Sequence, residues 1–111
     1  MLVLSLAVSG TGNCATVAGT PYVYARTELG SFVLPARCPH RGGPLHLAAF
    51  EPGRARLVCP WHERATSVSK SLKAGIPAVR RGEVVTVVFP HDADAAYQVE
   101  HLPLSAELSR A

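Results

Sequence analysis

The sequence predicts an all-β domain made of short antiparallel strands. Glycine and proline are frequent, nine of each in 111 residues, and they break the apolar runs before any grows long enough for a helical bundle. Several of the short runs alternate apolar with polar residues, which is the period of a half-buried strand. The length suits a single domain, 1–111, able to close a core without disulfide staples.

Taken in order, residues 2–8 set Leu2, Leu4, Leu6 and Val8 against Val3, Ser5 and Ala7, a first strand. The same run invites comparison with a secretory leader, but a leader opens on basic residues, and the first charge here is Arg26. Ser9-Gly10-Thr11-Gly12-Asn13 is a turn cluster, without the third glycine or the spacing of a phosphate-binding loop. Residues 15–17 and 21–26 predict a hairpin turning at Gly19-Thr20, with Tyr22 and Tyr24 on one face and Val23 on the other. The chain turns again at Leu29-Gly30, and residues 31–36 return as a strand that ends just before Cys38. Phe50-Glu51-Pro52-Gly53 reads as a turn, and residues 54–58 as a strand ending at Cys59. The chain is then polar through Lys73. Residues 76–80 and 83–89 predict a second hairpin around Arg81-Gly82, and its β-branched second arm is the strongest strand of the chain. From Pro90 onward, residues 93–99 and 105–110 read as short helical turns or as a tail over about 90–111.

Two segments carry chemistry. Cys38-Pro39-His40-Arg41-Gly42-Gly43-Pro44-Leu45 and Cys59-Pro60-Trp61-His62 each hold one cysteine and one histidine, with eighteen residues between His40 and Cys59. Both begin at a strand end, where a sheet can fix ligands carried on loops. Two thiolates and two imidazoles suit a [2Fe–2S] cluster in which the cysteines hold one iron and the histidines the other. They also suit one tetrahedral zinc ion. Zinc sites usually pair Cys with Cys and His with His at close spacing. The mixed pairs here, Cys-x-His and Cys-x-x-His, favour iron–sulfur, with zinc as the alternative.

The two segments resemble the ligand loops of the Rieske iron–sulfur family, and the first matches that family's usual CPHRG-P-L run. The resemblance covers most of the chain through Phe89, although only the loops are specific. It implies an antiparallel β-sandwich base from residues 1–36 and 65–90, with a cluster-binding subdomain inserted at about 37–64. It further implies that Cys38 and Cys59 bind the inner iron. His40 and His62 would bind the outer iron, each leaving a ring nitrogen toward solvent, where electrons enter and leave. Gly42 and Gly43 would let the backbone approach the sulfides, and Pro39 and Pro60 would stiffen the turns.

The chain also departs from the family. Gly43 and Trp61 stand where high-potential members carry an inter-loop disulfide. Glu63-Arg64-Ala65-Thr66 replaces the usual glycine and the hydroxyl or aromatic group after the last ligand. Glu63 reads as a partner for a neighbouring arginine. Gly75-Ile76-Pro77 is the candidate for the proline-bearing segment that covers the cluster in this family.

The remaining candidates are plainer. Cys14 reads as a small buried hydrophobe. His46, His91 and His101 fall outside the ligand pattern and read as surface residues or neighbours of the site. Net charge is +3, and Arg37, Arg41, Arg54, Arg56 and Arg64 gather around the ligand segments. They are a solvated surface or a docking face for an acidic redox partner. The charge is too modest, and the aromatics too few, for nucleic-acid binding. No apolar stretch reaches the ~20 residues of a membrane span, so a soluble, cytoplasmic protein is the simplest expectation.

The resemblance therefore implies a stand-alone Rieske-type ferredoxin, a one-electron carrier between a reductase and a terminal oxygenase or similar redox enzyme. The chain is too short for the catalytic domain of oxygenase large subunits, and Asp92 and Asp94 lack the histidine pair of a 2-His-1-carboxylate iron site. The alternative is a Rieske-fold enzyme, or an obligatory enzyme subunit in a specialised biosynthetic pathway. The altered second loop and the basic charge speak for that alternative.

Overall fold

Alternating side chains and tight turns divide the chain into strands β1 (Leu2–Ala7), β2 (Cys14–Val17), β3 (Thr20–Thr27), β4 (Gly30–Pro35) and β5 (Ala49–Glu51). They continue as β6 (Arg56–Val58), β7 (Ala65–Ser67), β8 (Ala78–Arg81), β9 (Val84–Phe89) and β10 (Tyr97–Glu100). Two short 3-10 turns, Leu45–Leu47 and Ala106–Leu108, are the helical structure among the described residues. The structure is a computed structural model that describes residues 1–28, 30–37, 44–51, 53, 56–60, 65–67 (backbone only) and 76–109.

All strand pairs are antiparallel, as expected of the all-β class. They form three sheets, in the orders β1-β9-β8, β10-β2-β3-β4 and β5-β6-β7. The last of these lies between β4 and β8 in the sequence, as an insertion would.

The four-stranded sheet is covered on both faces. Ala15, Val17, Tyr24 and Val33 face Leu2, Leu4, Leu6, Val85, Val87 and Phe89 of the first sheet. Cys14, Val23, Ala25, Phe32 and Leu34 face a second cluster with Leu45, Phe50, Leu57, Cys59 and Leu108. Successive residues of a strand point to opposite faces, so a strand buried on both sides must be apolar at nearly every position. The Val23-Tyr24-Ala25 run answers that demand.

Four details differ from the sequence expectation, each for a local reason. The β2–β3 hairpin turns at Ala18-Gly19, not at Gly19-Thr20, and Thr20 pairs with Val17. Ala18 and Gly19 have φ of 49° and 87°; a two-residue hairpin needs positive φ at both central positions to match the strand twist. Phe50 and Glu51 belong to β5 rather than to a turn. Phe50 is buried, and Glu51 meets Arg56 across the ladder in a 2.9 Å ion pair.

The polar stretch after the second loop contains β7, which pairs with β6, so the small sheet runs to Ser67 and beyond the expected limit of about 64. Residues 97–100, read as helical turn or tail, are β10, in register with β2 from Tyr97↔Val17 to Glu100↔Cys14. Residues 101–109 then cross the second cluster. Buried Asn13 grips Leu102 there, donating from Nδ2 to its carbonyl at 2.6 Å and accepting its N–H at Oδ1 at 2.9 Å.

Candidate metal centre

The first ligand segment rises from a pinned stem. β4 ends at Pro35, and Ala36 donates its N–H to the Pro21 carbonyl at 2.8 Å. Arg37 and Pro44 then form an antiparallel bridge, and the Leu45 N–H donates to the Ala36 carbonyl at 2.9 Å. The residues on either side of 38–43 are therefore paired with each other. Leu45 anchors the returning strand of the stem in the second core cluster, which also contains Ala36 and Ala48.

The second segment starts from the same cluster. β6 delivers Cys59 at its end, fully buried beside Leu57, and the next residue, Pro60, is exposed. One residue thus carries the chain from core to surface. Ala36 and Leu45 of the first stem and Cys59 of the second thus share one buried cluster.

Cys59 is the expected ligand whose position the structure describes; Cys38, His40 and His62 lie outside the described residues. So do Arg41, Gly42, Gly43, Arg54, Trp61, Glu63, Arg64 and Gly75. Among the described residues no group of His, Cys, Asp or Glu is placed to hold a metal ion. The donor chemistry nevertheless fits an iron–sulfur group. A thiolate in an apolar interior is costly unless a cation neutralises it. Cys59, buried yet one residue from exposed Pro60, would suit a metal-bound thiolate on that ground.

The other candidates separate clearly. Cys14 lies on the same apolar cluster, and burial, followed by the Glu100 carboxylate, pushes its thiol pKa up. It stays a neutral thiol, as a small core hydrophobe should. His46 is half-buried beside the first stem, its Nδ1 3.3 Å from the Ala36 carbonyl. His91 is half-buried, its ring packed edge-on against Tyr22 and Phe89, 6.0 Å from each. His101 is exposed.

Arg56 is taken out of the basic group by Glu51, and Arg37 donates to the Gly19 carbonyl at 3.3 Å. Ile76 packs against the first-sheet cluster, and the Pro77 carbonyl accepts the Val88 N–H at 2.9 Å. The described part of the expected covering segment is thus tied to the first sheet. Sequence reasoning missed Asn13 and Ser105, which hold residues 101–109 in place. Asn13 sits in a turn cluster, where asparagine is ordinary, and Ser105 carried no signal.

Comparison with known proteins agrees with the loops. The model of the Rieske [2Fe-2S] domain matches residues 4–90. A human "Rieske domain-containing protein" is 59% identical over 29 residues, which is 24% of this chain and 18% of that protein. The aligned stretch is thus under a fifth of the human protein's length. No solved structure matches. The matched segment runs from within β1 through β9 and contains both Cys/His segments, buried Cys59 among them. The chain belongs to the Rieske [2Fe-2S] domain family, whose cofactor is a [2Fe–2S] cluster.

Proposed function

We propose that this protein is a one-electron carrier whose cluster is held by Cys38, His40, Cys59 and His62. The observation that supports the reading is the common origin of the two loops. The Arg37–Pro44 stem and Cys59 are both seated on one buried cluster against one face of the four-stranded sheet. When bound, the cluster supplies one-electron oxidation and reduction. The protein's part is to hold four donors in one geometry through both redox states, and a frame anchored in a packed core does so. Cys38 and Cys59 would provide the charged ligands, and His40 and His62 the neutral ones. Among the described residues no helix is long and apolar enough to cross a membrane. We place the carrier in the cytoplasm, where reducing conditions keep unligated thiols from pairing.

The midpoint potential is expected toward the ~−150 mV end of the Rieske range. Gly43 and Trp61 cannot form the inter-loop disulfide, and Glu63-Arg64, directly after the last ligand, brings neither the usual glycine nor a hydroxyl that would raise the potential. Nearby arginines act in the other direction, but exposed charge is screened. Protein-film voltammetry measures this directly, and a midpoint well above zero would contradict it.

The partners expected are a reductase on one side and a terminal oxygenase or similar enzyme on the other. Arg41 and Arg64 flank the histidine ligands in sequence, so an acidic surface is the complementary docking face. With Arg56 neutralised by Glu51, these two carry the prediction. Arg41→Glu combined with Arg64→Glu should slow electron delivery through the association rate and leave the cluster spectrum intact. Stopped-flow transfer across a salt series tests it. Rates indifferent to salt and to charge reversal would remove the docking face. Substrate turnover without any partner would make the protein an enzyme instead.

A further inference from the structure

We propose that residues 101–109 form a strap that positions the first ligand loop, with Ser105 as its positioning residue. The inference rests on the reading of Cys38 and His40 as ligands. The strap lies beyond the family match at residues 4–90, so the family's cofactor chemistry does not account for it.

Three contacts define the strap. At its start, Asn13 holds both backbone groups of Leu102. At its end, Leu108 is fully buried in the second core cluster, and Ser109 bridges to Arg26 on β3. Between these anchors Ser105 makes two bonds to one short segment. Its N–H donates to the His46 carbonyl at 3.0 Å, and its hydroxyl donates to the Ala48 carbonyl at 2.6 Å. Leu102 and Leu104 add apolar contact with the same cluster.

Residues 45–48 are the returning side of the first loop. Leu45 is bonded to Ala36, and Ala36 precedes the Arg37–Pro44 bridge that closes residues 38–43. Ser105 therefore stands one short segment away from the loop stem. The bond from its hydroxyl opposes a local opening that frees residues 45–48 while the rest stays folded. Ala48 is fully buried, so loss of the hydroxyl strands its carbonyl.

Metal release to an excess of iron chelator under native conditions tests the strap, followed by visible absorbance and by iron and zinc analysis. Ser105→Ala should release metal about five- to tenfold faster than the wild type, the effect of one stranded carbonyl. The paramagnetic resonance spectrum of its reduced form should broaden or shift. Ser105→Thr keeps the hydroxyl and should stay within about twofold of the wild-type rate on the same reasoning. Leu6→Ala is the control. It empties space in the other core cluster, so it should lower the melting temperature more than Ser105→Ala yet leave the release rate near wild type.

Equal release from the wild type and Ser105→Ala would overturn the strap. Acceleration by Leu6→Ala matching that of Ser105→Ala would also overturn it, by reducing Ser105 to general stability. Stoichiometric zinc in place of iron would refute the cluster assignment separately, and the release rates would still judge the strap.

Discussion

Cys59→Ala is expected to yield a folded, colourless protein. The wild type should carry about two irons and two acid-labile sulfides per chain, with the visible absorption and low-temperature resonance signal of a mixed-ligand cluster. Removing one of two thiolates from the inner iron leaves it with an incomplete set, so iron content should fall to background. The fold should survive, because Cys59 is a small side chain and its loss opens only a small cavity in the second cluster. Chemical denaturation of the apo-proteins should therefore find Cys59→Ala within about 1–2 kcal/mol of the wild type. Iron and sulfide analysis beside a visible spectrum settles the point. Stoichiometric zinc in wild-type protein from iron-replete cells, without colour, would sink the assignment.

Phe89→Ala is expected to cost about 3–5 kcal/mol of folding stability. For a single domain that holds only about 5–15 kcal/mol in total, this is a large part of the reserve. Phe89 is fully buried at the end of β9, paired with Leu2 at the start of β1. Its ring meets Tyr22 edge-on at 5.1 Å and 60°, and such pairs add stabilisation beyond their buried area. Tyr22 is itself packed enough that burial raises its pKa. Alanine would leave an apolar void between two sheets that neither can close. Denaturant midpoints of the apo-proteins measure the loss. Phe89 and Cys59 belong to clusters on opposite faces of the four-stranded sheet. Phe89→Ala that still folds should accordingly keep the wild-type cluster spectrum, whereas Cys59→Ala should show the reverse pattern.

What was legible in the sequence was what burial writes into side chains. β1 sets leucines against smaller residues because one of its faces is buried; β9 is readable from its β-branched run, and β3 lacks alternation because Val23-Tyr24-Ala25 is buried on both faces. β10 left no such mark. All four of its residues are exposed, so backbone pairing to β2 holds it, and the preceding Asp92-Ala93-Asp94-Ala95-Ala96 suggested helical turns. β7, Ala-Thr-Ser, is three residues long, so its pairing with β6 left no mark in the sequence. Glu51 was taken for a turn residue because Pro52-Gly53 follows it, although its carboxylate pairs with Arg56 across the ladder. The ligand loops were readable because metal chemistry restricts residue type and spacing together. The strap was unreadable because serine and asparagine act there through backbone carbonyls and amides, which leave no pattern in the sequence.

The pairing of β1 with β9, Leu2 opposite Phe89, has a consequence for how the chain is born. The ribosome releases β1 long before β9 exists, whereas β8 and β9 emerge together and can zip as a local hairpin. Until then β1 is a nascent ribbon with Leu2, Leu4 and Leu6 exposed along one edge, ready to pair with any other unfinished chain. Closure must wait for a contact spanning most of the chain, which makes folding slow for a domain of this size. Closure of the first sheet is thus expected only once β9 has left the ribosome, with the leucine face of β1 unpartnered until then.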